Sequence, residues 1–129
     1  MSEGARNPFL VAAEAGLSCI EPEERDIFVD LDSQQDEYVM AAILALLKEN
    51  GYFIDVVKIT RSQHGNKHAY LRGPVPLSDT ERLFLQAILG SDRKREALGL
   101  IRSINGFKPV TVFFEVPSKE SEGTLKEIF

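Results

Sequence analysis

Hydrophobic and polar positions alternate with two periods along this chain. In the N-terminal stretch, Phe9, Leu10, Ala13 and Leu17 fall on one helical face, so Pro8 to Leu17 is expected as a short helix that Pro22 closes off. Ile27 to Leu31 is a short apolar run flanked by charge and is expected as a buried strand. Asp36 to Asn50 carries an apolar stripe of Val39, Ile43, Leu46 and Leu47, with Ser33 as candidate N-cap, Asp36 and Glu37 in the first turn, and Gly51 as the stop. Tyr52 to Thr60 is rich in β-branched and aromatic residues. A turn over Ser62 to Lys67, with Gly65-Asn66 inside it, joins it to a third strand over His68 to Arg72. Ser78 and Glu81 have capping-box spacing at the head of a helix that runs to Leu89. Gly90-Ser91 interrupts it, and Ser91 or Asp92 caps a further helix to about Ile104. Val110 to Val116 is the last expected strand, and a charged tail follows from Pro117.

The resulting order, β-α-β-β-α-β with a divided second helix, predicts an α+β, ferredoxin-like (RRM-like) fold. It would have a four-stranded antiparallel sheet, strand order 4-1-3-2, with the helices on one face and the other face open. Side chains alternate across a strand. Ile27, Val29 and Leu31 would lie under the helices, and Phe28, Asp30 and Asp32 on the open face. Ala69 and Leu71 would likewise turn inward, leaving His68, Tyr70 and Arg72 on the open face. The third strand runs antiparallel beside the first, so His68 should neighbour Asp30 and Asp32. Glu115, at the far end of the last strand from Asp30, is not expected to be a ligand.

With 129 residues there is room for one domain of ordinary size. The longest apolar run, Val39 to Leu47, is too short to span a bilayer. No signal-peptide pattern opens the chain, and the lone Cys19 allows neither an internal disulfide nor a zinc site of its own. A reducing, cytoplasmic setting is expected. The net charge of −5 is unevenly spread. Acids crowd the stretch from Glu14 to Glu37, whereas Lys58 to Lys108 carries ten Lys or Arg against four acids, a local +6. A basic zone beside an acidic cluster suits a polyphosphate ligand held through metal ions better than general duplex binding.

Two carboxylates at i and i+2 on one strand repel each other, and carboxylate oxygens are the hard ligands that Mg²⁺ and Mn²⁺ prefer. His68 can hydrogen-bond a nucleotide phosphate, assisted by Ser62, Lys67, Arg61 and the backbone of the Gly65 turn. Phe28 and Tyr70 can stack bases on the open face. Arg93-Lys94-Arg95 puts cations at a helix start, where the macrodipole disfavours them and a phosphate would favour them. His64 and His68 have the spacing of a zinc pair, but that pair needs a helix and this stretch is a hairpin.

These residues resemble the archaeo-eukaryotic primase superfamily, which includes the primase-polymerases of plasmids and phages. Ile27-Phe28-Val29-Asp30-Leu31-Asp32 is similar to its first motif, apolar residues followed by D-x-D. Ser62-Gln63-His64-Gly65-Asn66-Lys67-His68-Ala69-Tyr70 looks like the second, a polar glycine-containing stretch leading to a histidine. Leu89-Gly90-Ser91-Asp92 resembles the third, an apolar or small residue before an acid. The resemblance implies that Asp30, Asp32 and Asp92 bind two divalent metals, Mg²⁺ or Mn²⁺, and that His68 contacts the incoming nucleotide. It implies a catalytic core over residues 26–116, between an N-terminal extension (1–25) and the tail (117–129). The partners would be nucleoside triphosphates, single-stranded or primed nucleic acid, and a replication partner protein, with no membrane involved. Two other functions fit the same residues. One is a non-catalytic RRM-like accessory protein that binds single-stranded nucleic acid or a replication partner. The other is a metal-dependent nuclease that uses the aspartates to activate water.

Overall fold

The computed structural model describes residues 7–61 and 66–116. Over these described residues the chain is a mixed α+β structure of helices and two small antiparallel sheets. In chain order the elements are α1 (Pro8–Glu14), β1 (Ser18–Ile20), β2 (Asp26–Leu31), α2 (Gln34–Glu49), β3 (Asp55–Arg61), β4 (Lys67–Arg72), α3 (Asp79–Ile88), α4 (Arg93–Ile104) and β5 (Phe113–Glu115). The helix starts are set locally. The Ser33 hydroxyl accepts from the Asp36 N–H at the head of α2, and Ser78 and Glu81 form the full capping box at the head of α3. Among the described residues no helix is long and apolar enough to cross a membrane.

The larger sheet has the order β2-β4-β3. Its β2–β4 register sets Asp30 opposite His68 and Phe28 opposite Tyr70. Period-two alternation sorts the faces as the pattern predicts. Ile27, Val29, Leu31, Ala69 and Leu71 are buried with Met40 of α2 and Leu89, which follows α3. Burying these side chains in one cluster supplies the main apolar driving force of the fold.

The other half of the arrangement differs from expectation. The expected strand over Val110 to Val116 shortens to β5 and does not extend the large sheet. It pairs with β1, a strand that the N-terminal pattern does not announce, through Ser18↔Glu115, Cys19↔Phe114 and Ile20↔Phe113. The β5 side chains lie against the sheet face that was expected to be open. Phe113 packs with Phe28 and Tyr70 in a second apolar cluster, to which Ile20 adds.

The outer edge of β2 shows why a fourth strand is not needed there. Alternate residues of a strand turn their backbone groups to the same edge. The carbonyl of Asp26 accepts from Arg82 Nε at 2.8 Å, and the N–H of Phe28 donates to Gln86 Oε1 at 2.9 Å. The Phe28 carbonyl accepts from Arg95 Nη1 at 3.0 Å, and the N–H of Asp30 donates to Ser91 Oγ at 3.0 Å. Side chains of α3, α4 and their connection thus satisfy groups that a neighbouring strand would otherwise pair.

Candidate metal centre

Asp30 ends its run of β2 on the face turned toward β5, and Asp32 follows just beyond the strand. Asp92 arrives from the α3–α4 connection, where it caps α4 by accepting from the Lys94 N–H. Its own backbone N–H donates to the Asp30 carbonyl at 3.0 Å. This bond brings the third acid to the first two: one carboxylate oxygen of each of Asp30, Asp32 and Asp92 lies within 4.8 Å of the others. The expected triad therefore meets in space, although Asp92 lies between two helices.

The electrostatics of the cluster are those of carboxylates short of positive charge. Burial pushes Asp30 above the ordinary carboxylate range, against the pull of His68 and Arg95, and Asp92 and Asp36 push it further. Asp32 is raised by burial and then by Asp30, Asp92 and Asp36. Asp30 Oδ1 is buried and has no hydrogen-bond partner among the described residues. His68 Nε2 lies 3.8 Å from it. An unsatisfied buried carboxylate oxygen among three acids fits a hard divalent cation, whose charge would relieve both the repulsion and the missing bond. The other loop contacts hold the cluster in shape: Asp32 Oδ1 accepts from Asn66 Nδ2 at 3.0 Å, and Asp36 Oδ2 accepts from the Asp32 N–H at 3.0 Å.

His68 is beside the acids but not on an open surface; its residue is 8% exposed. The Phe113 ring stacks on the imidazole with centroids 4.0 Å apart and planes 2° from parallel. Nδ1 is bonded to Glu115 Oε1 at 2.5 Å. Glu115, expected far from Asp30 and without a role, is one imidazole away from it, because β5 crosses the sheet face instead of continuing its edge. Its Oε1 also accepts from the Tyr70 hydroxyl at 2.7 Å and from Thr60 Oγ1 at 3.0 Å. Burial opposes the Glu115 charge, but the bonds from His68, Tyr70 and Thr60 outweigh it and hold the carboxyl below its usual range.

The remaining candidates divide. Tyr70 does not face a nucleotide: it is 6% exposed, and burial followed by its bond to Glu115 pushes its phenol up strongly. Phe28, at 2% exposure, is likewise closed to base stacking, because β5 covers that face. Lys67 is half-buried and paired with Glu37 Oε1 at 2.7 Å. Arg61 is exposed at the end of β3. Ser62, His64 and Gly65 lie outside the described residues. Of the basic run at the start of α4, Arg93 and Lys94 are exposed. Arg95 turns inward and binds the Phe28 carbonyl, Ser91 Oγ and Glu96, with its guanidinium over the Phe113 ring. A cleft of about 510 Å³ opens on the cluster; Asp30, Asp92, His68, Asn66 and Lys94 line it together with apolar side chains such as Val11, Leu98 and Val112.

Sequence reasoning missed Glu115, Asp36 and the buried support set of Gln86, Ser91 and Glu96. Ser91 does not cap α4, a role Asp92 takes; its hydroxyl instead accepts from the Asp30 N–H, a bond that depends on how the helices pack. In comparisons with known proteins, no family model, no curated protein and no solved structure matches the chain.

Proposed function

We propose that this chain is a metal-dependent nucleotidyltransferase of the primase-polymerase type, joining nucleotides on a nucleic-acid template. The observation that carries the reading is the meeting of Asp30, Asp32 and Asp92, from two distant stretches of chain, within 4.8 Å of one another. Beside them His68 lines the same cleft, with Nε2 3.8 Å from Asp30 Oδ1. The order β2-α2-β3-β4-α3, with β4 between β2 and β3, supports a ferredoxin-like core whose fourth edge position is filled by side chains instead of a strand.

In the proposed reaction a primer 3′-hydroxyl gives up its proton to solvent water and its oxygen bonds to the α-phosphorus of a nucleoside triphosphate. The bond from that phosphorus to the bridging oxygen breaks, and pyrophosphate leaves with the electron pair. Asp30, Asp32 and Asp92 would hold Mg²⁺ or Mn²⁺. When bound, such ions make the hydroxyl a better nucleophile and neutralise charge on the leaving group. His68 Nε2 would bond a phosphate oxygen, and exposed Arg93 and Lys94 offer charge to the template or the triphosphate. The burial of Phe28 and Tyr70 removes the stacking platform on which an RRM-like accessory role would rest.

The test is primer synthesis and extension with Mn²⁺ or Mg²⁺, on the wild type and on the double variant Asp30→Ala/Asp32→Ala. Extension by the wild type, and its loss in the variant by a factor of about 100 or more, is expected. No activity in the wild type, or equal activity in both, overturns the reading. Cleaved strands in place of extended ones would assign the same acids to a nuclease.

A further inference from the structure

β5 places two side chains on His68 from one strand face, the Phe113 ring against the imidazole plane and the Glu115 carboxylate on Nδ1. We infer that Glu115 is a positioning residue that fixes the orientation of the His68 ring, with a proton on Nδ1 and with Nε2 turned toward Asp30. The activity arm of this inference rests on the nucleotidyltransferase reading; the structural arm does not.

Three side chains point their polar atoms at Glu115 Oε1, namely His68 Nδ1, Tyr70 Oη and Thr60 Oγ1. They come from β4 and β3, and Glu115 comes from β5, so the carboxylate ties the small sheet to the large one at this point. A carboxylate has only acceptor sites, so the imidazole nitrogen it binds must carry the proton. Phe113 blocks one ring face, and the register partner Asp30 stands at the Nε2 end, 3.8 Å away. The ring can neither flip nor slide without breaking the Glu115 bond. For metal-ligating histidines, the carboxylate that orients the ring is typically worth tenfold to a hundredfold in affinity or activity, and an effect on that scale is expected here.

The experiment is a two-bond proton–nitrogen correlation spectrum of the histidine rings at pH 7, on the full chain without nucleotide, with His68→Gln to assign the signals. In the wild type, Nδ1 of His68 should read as a protonated nitrogen. In Glu115→Gln, whose amide oxygen still accepts, it should stay so. In Glu115→Ala the proton should move to Nε2 in a substantial fraction of molecules. A wild-type ring with unprotonated Nδ1, or an unchanged ring in a folded Glu115→Ala, overturns the inference. If the wild type extends primers, Glu115→Ala should lower kcat/KM by tenfold to a hundredfold, chiefly through the KM for the nucleotide, with Glu115→Gln recovering most of it. Failure of extension in every form, with the ring signals as expected, would overturn the reaction and leave the positioning role standing.

Discussion

The backbone N–H of Asp92 donates to the backbone carbonyl of Asp30 at 3.0 Å, although 62 positions separate the two residues. This bond closes the edge of β2 where the strand ends and delivers the third carboxylate. The connection between α3 and α4 is thus both a cap for the sheet edge and the arm of the candidate metal centre.

A divalent cation should stabilise the fold through this centre. Adding Mn²⁺ to chelator-treated protein should raise its melting temperature in proportion to the logarithm of free metal once the site saturates, as mass action requires. Asp92→Asn should weaken that dependence, and Asp30→Asn should abolish it. Differential scanning calorimetry across a metal series checks both; an unshifted wild type would rule out the site.

Without metal, Asp30 should be a liability to the fold. Its folded pKa is raised above the ordinary 3.8, so the folded chain holds this proton more tightly than the unfolded chain. Its contribution to stability therefore falls as pH rises from 3.8 through the folded value, and stays low above it. Asp30→Asn in chelator should be more stable than wild type at pH 7, and that advantage should disappear below about pH 3.8. Urea denaturation at a series of pH values gives the comparison.

Glu115 should act in the opposite sense. Its folded pKa lies below the ordinary 4.5, so its contribution is fully present above 4.5 and is lost as pH falls through the folded value. In Glu115→Gln that acid-side loss should be absent, giving a shallower fall in urea midpoint below pH 4.5 than in wild type.

The support behind the acids can be probed at Gln86, which is fully buried. Its Oε1 accepts from the Phe28 N–H, and its Nε2 donates to Glu96 Oε1 at 2.8 Å. Gln86→Leu fits a similar volume but leaves a buried N–H and part of a buried carboxylate unpaired. A loss of about 2–4 kcal/mol in unfolding free energy is expected. A change under about 0.5 kcal/mol would mean that water or a neighbour replaces both bonds.

Phe113 joins the two sheets, stacked on Phe28 with centroids 4.7 Å apart and buried to 2% exposure. Phe113→Ala should cost about 3–5 kcal/mol and loosen the His68 ring. Chemical denaturation, with the His68 ring signals as a local reporter, measures both effects.

Local signals settle the helices and most of the large sheet. Ser33 and Ser78 cap where their side chains and the following acids indicate, because a cap is settled within four residues. The alternation of Ile27-Phe28-Val29-Asp30-Leu31 against His68-Ala69-Tyr70-Leu71 sorted both faces, and the β2–β4 register followed from antiparallel order. The Asp30–His68 neighbourhood was legible for that reason. The fate of the last strand was not, because Phe113, Phe114 and Glu115 suit a sheet edge and a covering ribbon equally well.

Period, caps and turn residues by themselves thus determined the helices and the strands of the large sheet, which side of β2 is apolar, and that two aspartates and a histidine share the other side. Only the tertiary structure decided that Asp92 completes the acidic cluster, that β1 and β5 cover Phe28 and Tyr70, and that Glu115 holds His68. The physical reason is that backbone conformation is governed by near neighbours. The choice between a strand and the side chains of Arg82, Gln86, Ser91 and Arg95 to satisfy an edge depends on how helices far along the chain pack against it.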